Sequence, residues 1–334
     1  MHSTVAVVIL NWNGKKHLET FLPSVVRYSQ SATIYVADNA STDDSIAFLK
    51  DNYPAIKLIQ NPENGGFALG YNQALKDLKE DYFVLLNSDV EVTEKWIEPV
   101  IEKMEQSKNI VIAQPKIKAY LEKDTFEYAG AAGGFIDSLG YPFCRGRIFS
   151  KLEKDQGQYN NDCEIFWATG ACMFIKNEVF KHLGGFDANY FAHMEEIDLC
   201  WRAKNQDYKV FYVGSSTVFH LGGGTMQNSN PFKTFLNFRN SLLTIYKNDQ
   251  SSFRILKIVL RLVLDGLAFL KVWSDSGAKH AFSILKAHFS FYAQKKKKIK
   301  AKQINSKGIY QGSIVLDFYW NKRTTFNQLK KGFN

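Results

Sequence analysis

Cysteine is scarce, with 4 in 334 residues, and Cys144, Cys163, Cys172 and Cys200 lie far apart with no CxxC pair. That excludes a disulfide framework and a zinc ribbon, and predicts reduced thiols in a cytosolic protein. Low-complexity and collagen-like bias are also missing, since 45% hydrophobic and 22% charged residues make an ordinary globular composition. The apolar run Val5 to Leu10 lacks a basic flank and is too short for a secretory signal. The longest apolar pattern, Phe253 to Trp273, is interrupted by Arg254, Lys257, Arg261, Asp265 and Lys271, which rules it out as a spanning helix. Acid is the most unevenly distributed group. Residues 231–334 hold no glutamate and 4 aspartates against 20 Lys/Arg, a net +16, whereas residues 1–230 carry a net −7. A basic, amphipathic region of this kind predicts an anionic membrane surface as partner; no nucleic-acid motif accompanies the charge. The alternative is that these helices pack on the rest of the chain and solvate a basic face.

What is present in the first half is an alternation of strands and helices. Val5 to Leu10, Thr33 to Ala37, Ile56 to Gln60 and Tyr82 to Leu86 read as buried strands. Helical patterns separate them at Lys15 to Ser29, Asp43 to Asn52 and Gly70 to Leu78. This is the period of an α/β, Rossmann-like, mostly parallel doubly wound sheet. Residues 115–162 show no clear period and predict loops and short strands. Further on, the pattern predicts an apolar strand within Ala168 to Ile175, helices at Asn177 to Leu183 and 195–205, and a strand at Val210 to Val213. Long helices follow at Phe232 to Lys247 and Phe253 to Trp273, and a run of lysines at Lys295 to Lys298.

In open α/β sheets, ligands collect at the carboxyl ends of the strands, and here those ends are polar. Asn11-Trp12-Asn13-Gly14 follows the first strand. Asp38 ends the second, placed to accept hydrogen bonds from a base or ribose, while Ser41 and Asp44 would cap the next helix. Asn64-Gly65-Gly66 precedes a helix and either admits a phosphate or sugar or simply turns the chain. Asn87-Ser88-Asp89 offers a carboxylate for Mg²⁺ or Mn²⁺, which takes much of its shell from water and phosphate. His220 would ligate the same ion or bond a neighbouring carbonyl. Glu195, Glu196 and Asp198 crowd a helix start, where repulsion raises carboxyl pKa values toward those of a general base and the macrodipole also favours acids.

In this order, VVILNWNG, VADNASTD, NGGF, LLNSD, WATGA and the Glu195 to Arg202 block followed by His220 resemble the family 2 inverting glycosyltransferases of GT-A fold, particularly their bacterial rhamnosyltransferase-like and galactofuranosyltransferase-like branch. The resemblance covers residues 4 to about 247. It implies a catalytic domain over 1–230, with a nucleotide-sugar half (about 1–115) and an acceptor half (about 116–230); the charge split and helical patterns set a helical basic region over 231–334 beside it. The resemblance further implies that Asn11, Asn13, Asp38, Asn64, Gly65, Gly66, Asn87 and Asp89 hold a UDP- or dTDP-sugar, with Asp89 and His220 on a divalent metal. Glu196 would be the base, with Glu195 and Asp198 beside it; Trp167, Thr169, Gly170 and Arg202 would border the acceptor, Trp167 stacking on a sugar and Arg202 facing a phosphate or bracing the acids. Two positions depart from the family pattern, Asn87 where an acid is frequent and Glu196 where Asp is. The acceptor would be a lipid-linked or growing cell-surface glycan at the cytoplasmic face of the membrane. A nucleotide-sugar-binding or membrane-associated scaffold without turnover is the competing class.

Overall fold

The computed structural model describes residues 3–222, 230–295 and 306–333. The chain begins with β1 (Val5–Asn11), α1 (Lys15–Tyr28), β2 (Thr33–Asp38), α2 (Ser45–Asn52), β3 (Lys57–Gln60), α3 (Gly66–Leu75) and β4 (Tyr82–Asn87). Five of the seven residues of β1 are Val, Ala or Ile, fully buried or nearly so, as a strand covered by helices on both faces requires. Next come β5 (Val90–Val92), α4 (Glu98–Glu105), β6 (Ile110–Ala119), β7 (Gly134–Asp137), β8 (Pro142–Cys144), β9 (Arg147–Ile148), β10 (Lys151–Leu152), β11 (Cys163–Ile165), β12 (Cys172–Lys176), α5 (Asn177–His182), α6 (Glu195–Lys204) and β13 (Lys209–His220). The last part contains α7 (Pro231–Asn248), α8 (Arg254–Ser276), α9 (Ala278–Gln294), β14 (Ile309–Tyr310) and α10 (Ile314–Tyr319).

The main sheet is mixed rather than mostly parallel. Its order is β11-β13-β6-β12-β4-β1-β2-β3, with β5 also paired to β13. β1 to β4 form a parallel half, but β12 enters antiparallel to both β4 and β6. The stretch of weak periodicity explains this: after β6 the chain leaves to build a second sheet, β10-β9-β8-β7-β14, and returns in the opposite direction. Other corrections are local. α3 begins at Gly66 instead of Gly70, β6 extends to Ala119 inside the expected loop region, and β13 has 12 residues, its pairing shifted between Val213 and Thr217. Helix α9 had no counterpart in the sequence reading.

The basic region is not a detached appendage. Lys247 and Asn248 of α7 bond Asp198 of α6 at 2.9 and 2.7 Å, and β14 pairs with β7. Phe326 and Phe333 pack against Phe135 and Phe143. Among the described residues, no helix is long and apolar enough to cross a membrane. All four cysteines are unpaired. Of the lysine run only Lys295 is described; Lys296 to Lys298 lie outside the described residues.

Candidate active site

Register brings the polar strand ends together. Asn11 stands opposite Asp38, and Leu10 opposite Asn87, so three strands finish on one edge. Asn11 donates from Nδ2 to Asp38 Oδ2 (3.0 Å) and Ser41 Oγ (3.2 Å), while its buried Oδ1 has no partner and lies against Gly14. A Cβ on Gly14 would come within 2.4 Å of that oxygen. Asp38 is almost wholly buried and accepts from Asn11 and the Ser41 amide, so its carboxylate shapes this rim. Asn13, exposed and at φ 49°, accepts from the Thr42 amide. Ser41 does not cap α2 as expected; its hydroxyl bonds Asn11 and the Asn13 amide, and Asp43 receives the Ser45 amide instead.

A second amide network, which the sequence did not announce, braces the next strand end. Asn61 donates to Asn39, and Asn39 to Asn64 and the Gly66 carbonyl, all at 3.0 Å. Gly66 has φ 70°, and a Cβ there would meet the Phe191 carbonyl at 2.5 Å. The amides of Phe67 and Ala68 donate to that same carbonyl, so the opening of α3 is tied to the loop before Glu195 and its amides are occupied by protein. Gly65 sits against Leu69.

Asp89 and His220 are 131 positions apart, and β13 unites them: its last residue pairs with Val90, and the Leu221 amide donates to the Asp89 carbonyl. His220 Nε2 lies 3.1 Å from Asp89 Oδ1 and 3.4 Å from Asn87 Nδ2, and Nδ1 lies 3.3 Å from Glu127. Burial pulls the imidazole down, yet bonds and charge from Asp89 and Glu127 outweigh it and push its pKa up to about 10. Burial raises Asp89, and the bond and charge of His220, with a smaller contribution from His17, more than reverse this and hold it below the usual carboxylate range. Glu127 was missed because it lies in an aperiodic stretch; only β6 and the chain beyond it bring it to His220.

A carboxylate oxygen and an imidazole nitrogen side by side make Asp89 and His220 the residues that could hold a divalent cation, in exchange for the proton they share at 3.1 Å here. Among the described residues no three His, Cys, Asp or Glu side chains form a complete cage, so the remaining positions would fall to water and phosphate.

Glu195 and Glu196 open α6 after a distorted turn. Phe191, His193 and Met194 have φ of 63°, 68° and 73°, a cluster of left-handed non-glycine backbone of the kind concentrated at functional sites. One carboxyl oxygen of each glutamate is buried without a partner. Burial pushes the partly exposed Glu196 up to about 7 against the backbone amides around it. Burial and then repulsion from Glu196 drive Glu195 well above the ordinary value. Asp198, by contrast, is fully buried and engaged by the protein: it receives Arg202 (2.8 Å), Lys247 (2.9 Å) and Asn248. Arg202 is buried and donates to Asp198 and to the Leu183 and Gly185 carbonyls, so it braces the acid.

The acceptor-side residues divide. Trp167 is core: it is buried, donates from Nε1 to the Phe135 carbonyl, and lies flat on Gly134, whose Cβ would meet the indole at 2.2 Å. It therefore offers no face for a sugar. Thr169 is buried with its amide on Gln114, and Gly170 packs on Phe67 beside the opening of α3.

The profile of glycosyl transferase family 2 matches residues 6–184, more than half of the chain, and the protein belongs to that family of glycosyltransferases. Among its relatives is the N-acetylglucosaminyl-diphospho-decaprenol L-rhamnosyltransferase of Mycobacterium tuberculosis, 25% identical over 239 residues, covering 66% of this chain and 76% of that one. Rhamnosyltransferase WbbL of Escherichia coli is 21% identical over 224 residues, covering 65% and 83%. In fold, the chain is similar to the mannosyltransferase PcManGT of Pyrobaculum calidifontis in complex with GDP-Man and Mn²⁺ (TM-score 0.53, 12% identity, 88% of this chain and 82% of that one). It is also similar to GalNAc-T7 with UDP, GalNAc and Mn²⁺ (TM-score 0.53, 19% identity), with 65% of this chain spanning 43% of that one.

Proposed function

We propose that this glycosyltransferase is inverting and metal-assisted, moving a sugar from a UDP- or dTDP-sugar to a hydroxyl of a lipid-linked or growing cell-surface glycan. The observation that carries this reading is Glu196, a partly exposed carboxyl pushed up to about 7 by burial, in the first turn of α6 and just after a loop bonded to the opening of α3. Glu196 takes the proton of the acceptor hydroxyl as its oxygen attacks the anomeric carbon, and the bond to the diphosphate oxygen breaks on the opposite face. One displacement inverts the centre, and no covalent enzyme intermediate forms. Asp89 and His220 would hold a divalent cation, which supplies charge stabilisation for the departing diphosphate. The mycobacterial relative's name specifies a diphospho-decaprenol acceptor, which favours a lipid-linked acceptor here. The discriminating test against a non-catalytic scaffold is release of nucleoside diphosphate from candidate donors, dependent on acceptor and metal.

We further propose peripheral attachment at the cytoplasmic face of the cell membrane. Helix α8 carries its apolar residues on the outside: Leu256, Leu260, Val263, Leu267 and Leu270 are exposed at helical spacing, whereas Arg261 and Asp265 are buried. Phe282, Leu285 and Phe289 of α9 are exposed as well, and Lys271, Lys279, Lys286 and Lys295 lie among them in solvent. An apolar face with basic residues suits anionic lipid. In flotation with the full chain, vesicles containing anionic lipid should carry the protein, and salt should weaken binding. Replacing Val263 and Leu267 by glutamate should lower partitioning by at least about tenfold, given ~1.5–3 kcal/mol per buried aliphatic side chain. Equal partitioning of both proteins would assign this face elsewhere.

A further inference from the structure

The two residues that do most to hold the distorted turn before Glu195 come from the basic region, outside the stretch that the family profile matches. Asn240, fully buried in α7, points Nδ2 at three successive parts of that turn: the carbonyls of Tyr190 (3.1 Å), Ala192 (3.0 Å) and His193 (2.8 Å). Arg239 donates to the carbonyls of Asn189 (2.9 Å) and Tyr190 (3.2 Å). Its Nε also donates to Asn240 Oδ1 at 2.8 Å, which fixes the amide with its hydrogens toward the turn. Carbonyls gathered by a left-handed backbone repel one another, and the donors of α7 offset that repulsion. Thr244, one turn further along α7, bonds the Tyr190 hydroxyl at 2.8 Å and extends the grip.

We propose that Arg239 and Asn240 are positioning residues for the reaction: they clamp residues 189–193 so that Glu196 is presented at the geometry proton abstraction requires. This rests on the role of Glu196 in the proposed function. Neither residue is assigned contact with the sugar or nucleotide. The clamp acts through backbone carbonyls, so its loss should appear in the chemical step and leave substrate affinity alone. Misplacing a catalytic group by about 1 Å costs on the order of 10²-fold in rate.

The test uses the full chain and two readouts. Amide hydrogen exchange over residues 189–197 needs no turnover and should accelerate in Asn240→Ala. Steady-state transfer should show kcat reduced by about 10²-fold with KM for donor and acceptor, and affinity for nucleoside diphosphate, near parent values. Arg239→Met, which keeps Asn240 but removes two carbonyl bonds and the one orienting the amide, should reproduce the pattern at smaller size. It carries the test should Asn240→Ala fail to fold. Arg239→Lys, retaining a donor and the charge, should recover part of kcat. Unchanged exchange, or faster exchange with kcat at the parent value, would overturn the proposal. If the parent chain transferred no sugar to any acceptor, the proposed function would fail, whereas the exchange arm would still decide whether the clamp exists.

Discussion

Replacing Glu196 with glutamine is expected to lower transfer by about 10²- to 10⁴-fold, the usual contribution of a general base, with nucleotide affinity preserved. Glutamine keeps the size and the hydrogen-bonding oxygen but cannot hold the proton. Glu195→Gln should cost less, because Glu195 is buried whereas Glu196 is partly exposed and open to an incoming hydroxyl. In the parent, kcat should rise with pH through about 7 as Glu196 loses its proton, and this limb should vanish from the residual rate of Glu196→Gln. Transfer kinetics over pH 5 to 9 check both expectations. Equal activity of the two variants and the parent would reduce the glutamates to helix-start charges.

The second large effect is expected at Asp89. Asp89→Ala should abolish the metal dependence of nucleoside diphosphate binding and weaken that binding by at least about tenfold, measured by calorimetry with and without Mg²⁺ or Mn²⁺. The carboxylate is one of two protein donors assigned to the cation, and its loss also leaves His220 with Glu127 alone as carboxylate partner. Parent-like affinity with parent-like metal dependence would remove Asp89 from the metal site.

The donor half was legible because its signals are local. A doubly covered strand needs an unbroken apolar run, and a strand end facing a crevice needs polar residues, so Val5 to Asn11 and Asp38 report their positions directly. The mixed sheet was not legible, since strand direction depends on where the chain returns after β6. Trp167 shows why residue type alone misleads: an indole looks like a sugar platform until Gly134 is found beneath it. Asp198 and Glu196 look alike in sequence, and the partners folding brings to Asp198, Arg202, Lys247 and Asn248 among them, separate the two. The clamp did leave a trace. Asn240, Thr244 and Asn248 recur every fourth residue along α7, a buried polar stripe that implies partners across an interface.

The uncompensated burial of the two glutamates also shapes the conditions under which the molecule persists. Their carboxyls titrate higher in the folded chain than in the unfolded one, whose value is near 4.5, so the native state binds protons more tightly. The sign follows: this contribution to stability is fully present below about pH 4.5 and is lost as pH rises toward and through 7. This contribution is therefore smallest where the base is most available, and Glu196→Gln should melt at a higher temperature than the parent at pH 8, with the gap narrowing toward pH 5. A thermal unfolding series across that range would reveal activity and endurance as opposing demands on one proton.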